Sequence, residues 1–239
     1  MLRLTVAGIC AALWAIPAAA QGTFEGVVTY NMQTQEGKNG TLRYYESGGR
    51  TRQEFATGAQ MMASITDHAT GDMTLLLPAR KQYMVINLKS AMGPMAQMAQ
   101  GMAGGPGAGG RKAPDLSKLR VTATGHETVA GVECDDYHFA GTDPSDHQTV
   151  DVCGAKGMGF LGQGYMMPST ATLLGSGHPE LASLAHDGFF PLKVKVTNGD
   201  RVTTLEATAV SRDKPDASLF APPADYSKLS LPGMTGGNP

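Results

Sequence analysis

Residues 60–88, QMMASITDHATGDMTLLLPARKQYMVINL, decide the fold class of this chain. They contain three runs typical of strands, at Gln60–Asp67, Asp72–Leu77 and Gln82–Leu88. Gly71 and the tripeptide Pro78-Ala79-Arg80 separate these runs, and such residues mark turns between strands. Connections this short cannot hold the crossover that parallel pairing requires, so the segment predicts an antiparallel meander.

Alternation with a period of two extends the pattern in both directions. Towards the amino terminus it predicts a strand from Thr23 onward and strands at Thr41–Glu46 and Thr51–Ala56. Towards the carboxyl terminus it predicts strands at Arg120–His126, Ala130–Ala140, Gln148–Cys153, Leu192–Thr197 and Arg201–Ser211. Asn198-Gly199 is a strong hairpin signal between the last two. A short helix is predicted to begin at Pro179 and to end at Gly188.

The first twenty residues have the pattern of a secretory signal peptide. Arg3 precedes the apolar run Leu4–Ile16, and Ala18-Ala19-Ala20 supplies the small residues of a cleavage site. The run is shorter than the roughly 20 apolar residues of a membrane span. We therefore expect a cleaved signal at 1–20, a single mature domain at 21–229 and a flexible tail at 230–239. The predicted location is the periplasm or the exterior, and the chain is not predicted to be an integral membrane protein.

Charge and motifs narrow the function classes. The net charge is −2 and the sequence has no extended basic cluster, so nucleic acid is not a predicted partner. The chain has no G-x-S-x-G elbow, no H-E-x-x-H motif and no Walker loop. The sequence therefore predicts a protein that is not an enzyme and that uses no cofactor.

Cys134 and Cys153 are the two cysteines that remain after signal cleavage, and an even pair in an exported protein predicts one disulfide. The alternative, a redox or metal-binding thiol pair, lacks the usual C-x-x-C spacing. If the hairpin is centred between Asp143 and Pro144, the two cysteines lie directly opposite each other.

The same register makes Asp136 face Asp151, with His138 and His147 on the same side. Two opposed carboxylates repel each other unless they are solvated or bridged by a cation, so this side is either a wet face or a polar cluster. The register places four apolar side chains on the opposite side of the hairpin: Tyr137, Phe139, Val150 and Val152.

A methionine-rich and glycine-rich insert at 89–115 interrupts the strand pattern. Four methionines fall along one predicted helical stripe: Met92, Met95, Met98 and Met102. Such a stripe suits a flexible lid over an apolar ligand, because methionine adapts to irregular cavities. The alternative is a Cu(I) site, since thioethers are soft ligands.

Five short motifs in order frame nearly the whole chain: 24–30 (FEGVVTY), 49–52 (GRTR), 129–134 (VAGVEC), 188–193 (GFFPLK) and 218–226 (SLFAPPADY). In these motifs the chain is similar to an uncharacterised family of exported domains related to the periplasmic lipoprotein-carrier (LolA-like) fold. The resemblance implies an α+β protein, mainly antiparallel β, with a curved, unclosed half-barrel sheet. It also implies helices and loops on the concave side, and characterised relatives shelter acyl chains there.

We therefore predict a non-catalytic binding protein for a lipid or another hydrophobic or amphipathic ligand, held by apolar burial. Seven residues are candidate lining residues: Phe24, Tyr30, Met84, Ile86, Met92, Met95 and Leu192. Two alternatives stay open. The protein could bind Cu(I) through the methionine insert, or these side chains could fill a dry core in a structural or interaction protein of the cell envelope, with an envelope protein as partner.

Overall fold

The computed structural model describes five stretches of the chain: 24–37, 39–88, 119–142, 148–158 and 189–229. The predicted signal peptide, the methionine insert, the predicted helix after His178 and the turn around Pro144 lie outside these residues.

The described residues form one twelve-stranded sheet. Its strands are β1 Gly26–Thr34, β2 Asn39–Ser47, β3 Arg50–Thr57, β4 Gln60–Asp67, β5 Asp72–Leu77, β6 Gln82–Asn87, β7 Leu119–Val129, β8 Val132–Gly141, β9 Gln148–Ala155, β10 Phe190–Asn198, β11 Arg201–Ser211 and β12 Ser227–Lys228. Across the sheet the order is β12-β6-β5-β4-β3-β2-β1-β11-β10-β9-β8-β7.

Antiparallel pairing dominates, and the predicted six-strand meander β1 to β6 is confirmed. The exception is β12, which pairs in parallel with β6 through Ser227 opposite Gln82 and Lys228 opposite Tyr83. A parallel pair is possible here because most of the chain lies between the two strands. At the last hairpin Asn198 pairs with Arg201, so the turn residues are Gly199 and Asp200.

The sheet curls strongly and does not close. The ring centroids of Tyr44 on β2 and Phe190 on β10 lie 5.5 Å apart, although β1 and β11 separate the two strands. In a flat sheet three strand spacings would amount to about 14 Å. The Tyr30 hydroxyl also donates to the Pro191 carbonyl at 2.9 Å, across β11. The face that carries these side chains is therefore the concave face.

A buried cluster fills the middle of the concave face. Phe24 packs against Phe190 with ring centroids 5.5 Å apart, and the disulfide lies in the same cluster. Its members are Phe24, Val28, Tyr30, Tyr44, Val129, Cys134, Cys153, Ala155, Met158, Phe190, Leu192 and Ala207. We call this set the concave core.

A second buried cluster lies on the convex face of the meander. Its strand residues point away from the concave core, because alternate residues of a strand point to opposite faces. Tyr45, Ala63, Ile65 and Leu76 form it together with Phe220. Phe220 belongs to the segment 217–229, which we call the closing segment, and Leu219 and Tyr226 of this segment pack against the same cluster.

Arg52 fastens the closing segment to the convex face. Its Nη1 atom donates to the Leu219 carbonyl at 2.8 Å, and its Nη2 atom lies 2.8 Å from Glu54 Oε1. The Arg52 side chain is almost fully buried, and its charge is compensated by the Glu54 carboxylate.

The predicted register of the β8–β9 hairpin is wrong by two residues. Asp136, not Cys134, lies opposite Cys153, and Asp151 faces His138 instead of Asp136. The His138 Nδ1 atom lies 2.5 Å from Asp151 Oδ1, so a histidine and a carboxylate meet where two carboxylates were expected.

The disulfide itself is present between Cys134 and Cys153, with the Cα atoms 5.4 Å apart. The register prediction failed because a disulfide tolerates a range of Cα separations and does not require directly opposite residues. A shift of two residues keeps every side chain on its face. The predicted apolar side of the hairpin is accordingly found in one cluster: Tyr137, Phe139, Val150 and Val152, with Phe189 and Val194.

The helices expected over the concave side are not borne out by the described residues. The helices these residues complete are two short 3₁₀ helices, Pro78–Arg80 and Ala217–Phe220. Ala217–Phe220 lies within the closing segment, on the convex face. The two segments for which helices were predicted lie outside the described residues.

Candidate functional site: the concave face of the meander

Strand register extends the concave face from the core to the edge of the meander. Tyr44 lies opposite Gln53, Gln53 opposite Ser64, Ser64 opposite Leu75 and Leu75 opposite Met84. Directly opposed residues in antiparallel strands point to the same face. Leu75 and Met84 are therefore on the same face as the buried ring of Tyr44, and both are half-buried.

A second row runs parallel to the first. Glu46 lies opposite Thr51, Thr51 opposite Thr66, Thr66 opposite Met73 and Met73 opposite Ile86. Met73 is buried and Ile86 is half-buried. The four side chains Met73, Leu75, Met84 and Ile86 form an apolar surface on β5 and β6, which we call the β5–β6 surface.

The structure separates the predicted lining residues into three groups. Phe24, Tyr30 and Leu192 are 2%, 1% and 0% exposed and belong to the concave core. Met84 and Ile86 lie on the same face but on the β5–β6 surface, outside that core. Met92, Met95 and the other two methionines of the predicted Cu(I) site lie outside the described residues.

The packing of the first group matches the dry-core alternative, in which these side chains fill their own space. Half-burial of Met84 and Ile86 leaves apolar area that a ligand could cover. The β5–β6 surface is therefore the part of the concave face best suited to an apolar ligand.

Glu46 places a carboxyl group in the same row as Met73, with Thr51 of β3 and Thr66 of β4 between the two residues. The Tyr44 hydroxyl donates to Glu46 Oε2 at 2.6 Å. Burial raises the pKa of the Glu46 carboxyl to about 7, and the nearby Glu25 carboxylate contributes to the increase in pKa. The group therefore changes charge near neutral pH. Sequence reasoning missed it, because a single glutamate in an alternating strand is typical of a wet face.

A second polar group lies on the concave side of β7 to β10. Lys193 Nζ donates to both carboxylate oxygens of Glu127, at 3.0 and 3.1 Å, and so joins β10 to β7 across the two intervening strands. Burial, followed by the Glu127 charge, raises the pKa of Asp136. The group thus combines the positive charge of Lys193 with the negative charges of Glu127 and Asp136. The bonds between Lys193 and Glu127 hold β10 and β7 together and so support the curl of the sheet.

The same group contains potential metal ligands. A carboxylate oxygen of Glu127, one of Asp136 and the Cys153 Sγ atom lie within 4.8 Å of one another. Cys153 is bonded to Cys134, however, and a metal-binding cysteine must be a thiolate. Lys193 already neutralises Glu127, so these residues do not fit a metal site in the oxidised protein.

Within the described part of the chain, no helix has the length and apolarity that crossing a membrane would need.

Several solved structures are similar to this chain at low identity. One is the MucA/MucB complex of Pseudomonas aeruginosa (11% identity, TM-score 0.46, 86% of this chain and 58% of the matched chain). Another is an uncharacterised conserved protein from Thermus thermophilus (9% identity, TM-score 0.44, 86% and 91%). A third is a putative outer membrane lipoprotein-sorting protein domain from Vibrio parahaemolyticus (12% identity, TM-score 0.29, 84% and 90%). This chain thus spans less than two thirds of the first of these chains.

Comparison with curated proteins finds no match. The model of one protein family matches residues 24–226, which include all five sequence motifs noted above and every described strand except β12. The chain therefore belongs to the family DUF4412, a domain of unknown function.

Proposed function

We propose that this protein is a non-catalytic, exported binding protein that holds a hydrophobic or amphipathic ligand, such as a lipid acyl chain, against the β5–β6 surface. The observation that carries the proposal is the continuation of the concave face from a closed core to half-buried apolar side chains at Met84 and Ile86.

The chemistry of the β5–β6 surface supports an acyl chain. Each Å² of apolar surface removed from water contributes about 25 cal/mol to binding. Met73 and Met84 are unbranched and polarizable, so they adapt to chains of different shape. No directional group is needed for such a ligand, which agrees with a surface built from four apolar side chains.

Glu46 supports the amphipathic part of the proposal. It lies in the same row as Met73 and Ile86, between the apolar surface and the concave core. A carboxyl group with a pKa of about 7 can donate a hydrogen bond when protonated and accept one when ionised. It could therefore contact the polar end of a ligand whose chain lies on β5 and β6.

The remaining predicted lining residues keep defined roles in this proposal. Phe24, Tyr30 and Leu192 form the closed base beside the ligand, and they are not contact residues. Met92 and Met95 remain predicted contact residues from the insert.

Alternate residues of β6 supply a test with a matched control. Met84 and Ile86 lie on the concave face, whereas Val85 between them lies on the convex face and is 39% exposed. The native mass of the protein purified from its own periplasm is measured before and after organic extraction, for the wild type, Met84→Glu, Ile86→Glu and Val85→Glu.

We expect the wild type and Val85→Glu to carry lipid that extraction removes. Met84→Glu and Ile86→Glu are expected to be lipid-free. Their thermal unfolding midpoints should equal that of Val85→Glu. A wild-type protein that copurifies with no lipid, takes up none when it is added, and shifts in mass with Cu(I) would contradict the proposal. Lipid retained by both concave-face variants would contradict the assignment to β5 and β6.

A further inference from the structure

The hairpin between β3 and β4 has an unusual tip. Residues 55–64, FATGAQMMAS, contain no charged side chain. The turn lies at Gly58-Ala59, since Thr57 and Gln60 form the last pair of the ladder. Exposed strand ends and turns commonly carry charged side chains, so a hairpin tip without any charge calls for an explanation.

Two large apolar side chains project from this tip. Met61 is 50% exposed and Met62 is 52% exposed. Consecutive strand residues point to opposite faces, so the tip is apolar on both sides of the sheet. Phe55 lies opposite Met62 and Ala56 lies opposite Met61, which continues the apolar character onto β3 on both faces.

Exposure on both faces restricts what could cover these methionines. A protein partner that packs on one face of the sheet would bury one of the two thioethers and leave the other in water. Insertion of the tip into a fluid apolar medium buries both at once. The interface of a lipid bilayer is such a medium, and apolar side chains of peripheral proteins reach about 5–10 Å into it.

The neighbouring turn supplies a positive charge. The 3₁₀ helix Pro78–Arg80 contacts β4, and Arg80 is exposed. Arg80 makes no ion pair with any other residue that the structure describes, whereas the adjacent Lys81 is paired with Asp225 at 2.9 Å. An uncompensated cation beside an apolar tip favours a surface of anionic headgroups.

We propose that the β3–β4 tip, with Met61 and Met62 as its apolar wedge and Arg80 as its flanking cation, docks the protein on an anionic lipid bilayer. This membrane contact is distinct from the β5–β6 surface, and it does not depend on lipid carriage.

The test uses a fluorescent reporter at the tip. Trp14 is the only tryptophan of the chain. Trp14 lies in the predicted signal peptide, so in the mature protein Met61→Trp introduces a single indole at the tip, and Val85→Trp introduces one at an exposed convex-face position as the matched control. Vesicles contain phosphatidylethanolamine with phosphatidylglycerol, or phosphatidylcholine alone.

We expect the emission of Met61→Trp to shift to the blue with the anionic vesicles, to be quenched by brominated acyl chains and to lose the shift at high salt. The emission of Val85→Trp should stay unchanged. An unshifted Met61→Trp, or equal shifts at both positions, would overturn the proposal.

Cosedimentation of variants without the reporter separates the two contributions. Met61→Ser/Met62→Ser is expected to weaken binding to anionic vesicles at least about tenfold, since the two thioethers lose their apolar burial. Arg80→Gln is expected to weaken it by roughly fivefold at low salt. Val85→Ser should bind as the wild type does, and undiminished binding by the double methionine variant would overturn the proposal.

The two lipid hypotheses fail separately. Met84→Glu should lose copurifying lipid but still bind vesicles, whereas the double methionine variant should keep copurifying lipid and lose vesicle binding. If Met84→Glu lost vesicle binding while the double methionine variant still bound vesicles, the membrane contact would be assigned to the β5–β6 surface and the tip proposal would be overturned.

Discussion

Both faces of the meander carry apolar side chains, but the chain covers these side chains to different extents. On the convex face, the closing segment covers Tyr45, Ile65 and Leu76, and a buried arginine holds it in place. On the concave face, Met84 and Ile86 of β6 are half-buried, and the carboxyl group of Glu46 on β2 has a raised pKa. One face is sealed by the chain itself, and the other retains apolar area for contact. The two faces of the meander therefore differ in how much of their apolar area the chain itself covers, although the concave core around Tyr30 and Phe190 is closed as well.

The largest expected effect concerns the disulfide within the concave core. Cys134 and Cys153 are 19 residues apart, and a loop of this length contributes about 3 kcal/mol by restricting the unfolded chain. We expect Cys134→Ala/Cys153→Ala to lower the free energy of unfolding by about this amount. Urea denaturation measures it, with reduced wild type as the control. An unchanged denaturation midpoint in both proteins would show that the cross-link does not stabilise the fold.

The second prediction concerns Arg52, which holds the closing segment on the convex face. Arg52→Met should lower the free energy of unfolding by about 2 kcal/mol, because it leaves Glu54 without its buried partner and the Leu219 carbonyl without its donor. Arg50→Met on the same strand is the control. Its ion pair with Asp67 involves an arginine side chain that is 53% exposed, so its effect should stay below about 0.5 kcal/mol. Equal losses of stability in Arg52→Met and Arg50→Met would contradict the conclusion that Arg52 holds the closing segment in place.

The third prediction concerns the pH dependence of stability that Glu46 on the concave face should cause. The pKa of Glu46 is about 7 in the folded protein and ordinary in the unfolded chain, so the folded state binds more protons between about pH 4.5 and 7. Its contribution to stability therefore falls as the pH rises through this window. We expect Glu46→Gln to abolish this fall and to raise the free energy of unfolding at pH 8 by about 1–2 kcal/mol, allowing for solvent screening.

Glu25→Gln provides a control of opposite sign. The backbone N–H of Gly48 lowers the pKa of Glu25, so this carboxylate stabilises the fold above its unfolded pKa. The substitution should lower stability at neutral pH. Urea denaturation across pH 4 to 8 compares the variants, and an unaltered pH profile in Glu46→Gln would contradict the assigned pKa.

The smallest expected effect concerns the charge pair that joins β10 to β7. Glu127→Gln should lower the free energy of unfolding by less than about 1 kcal/mol, because both partners are partly exposed. The loss should shrink at high salt, since salt screens such pairs. Glu133→Gln, at an exposed position of β8, is the control, and denaturation midpoints at low and high salt measure both. A salt-independent loss would indicate a packing role.

The sequence predicted those features that local chemistry determines. β4, β5 and β11 begin and end at the predicted residues, because glycine, proline and alternating apolar residues mark them locally. The β8–β9 register was predicted wrongly, since a shift of two residues leaves every side chain on its face and gives no sequence signal. The bond from Arg52 to Leu219 joins residues 167 positions apart, and no local pattern indicates it.

The candidate site shows the same division. Alternation identified Met84 and Ile86 as partners on one strand face, and the structure keeps them on one face. Alternation did not reveal which apolar residues would be sealed in the concave core. Burial of Phe24, Tyr30 and Leu192 depends on the contacts of Phe24 and Tyr30 with β10, and these follow from the curl of the whole sheet.

The position of β11 beside β1 has a consequence for the order of folding. The β1–β6 hairpins can form from neighbouring residues, but the free edge of β1 pairs with β11, and Val27 lies opposite Ser211. Closing so long a loop is slow compared with forming a hairpin. A chain emerging from the ribosome therefore cannot complete the centre of its sheet until β11, Arg201–Ser211, has been synthesised.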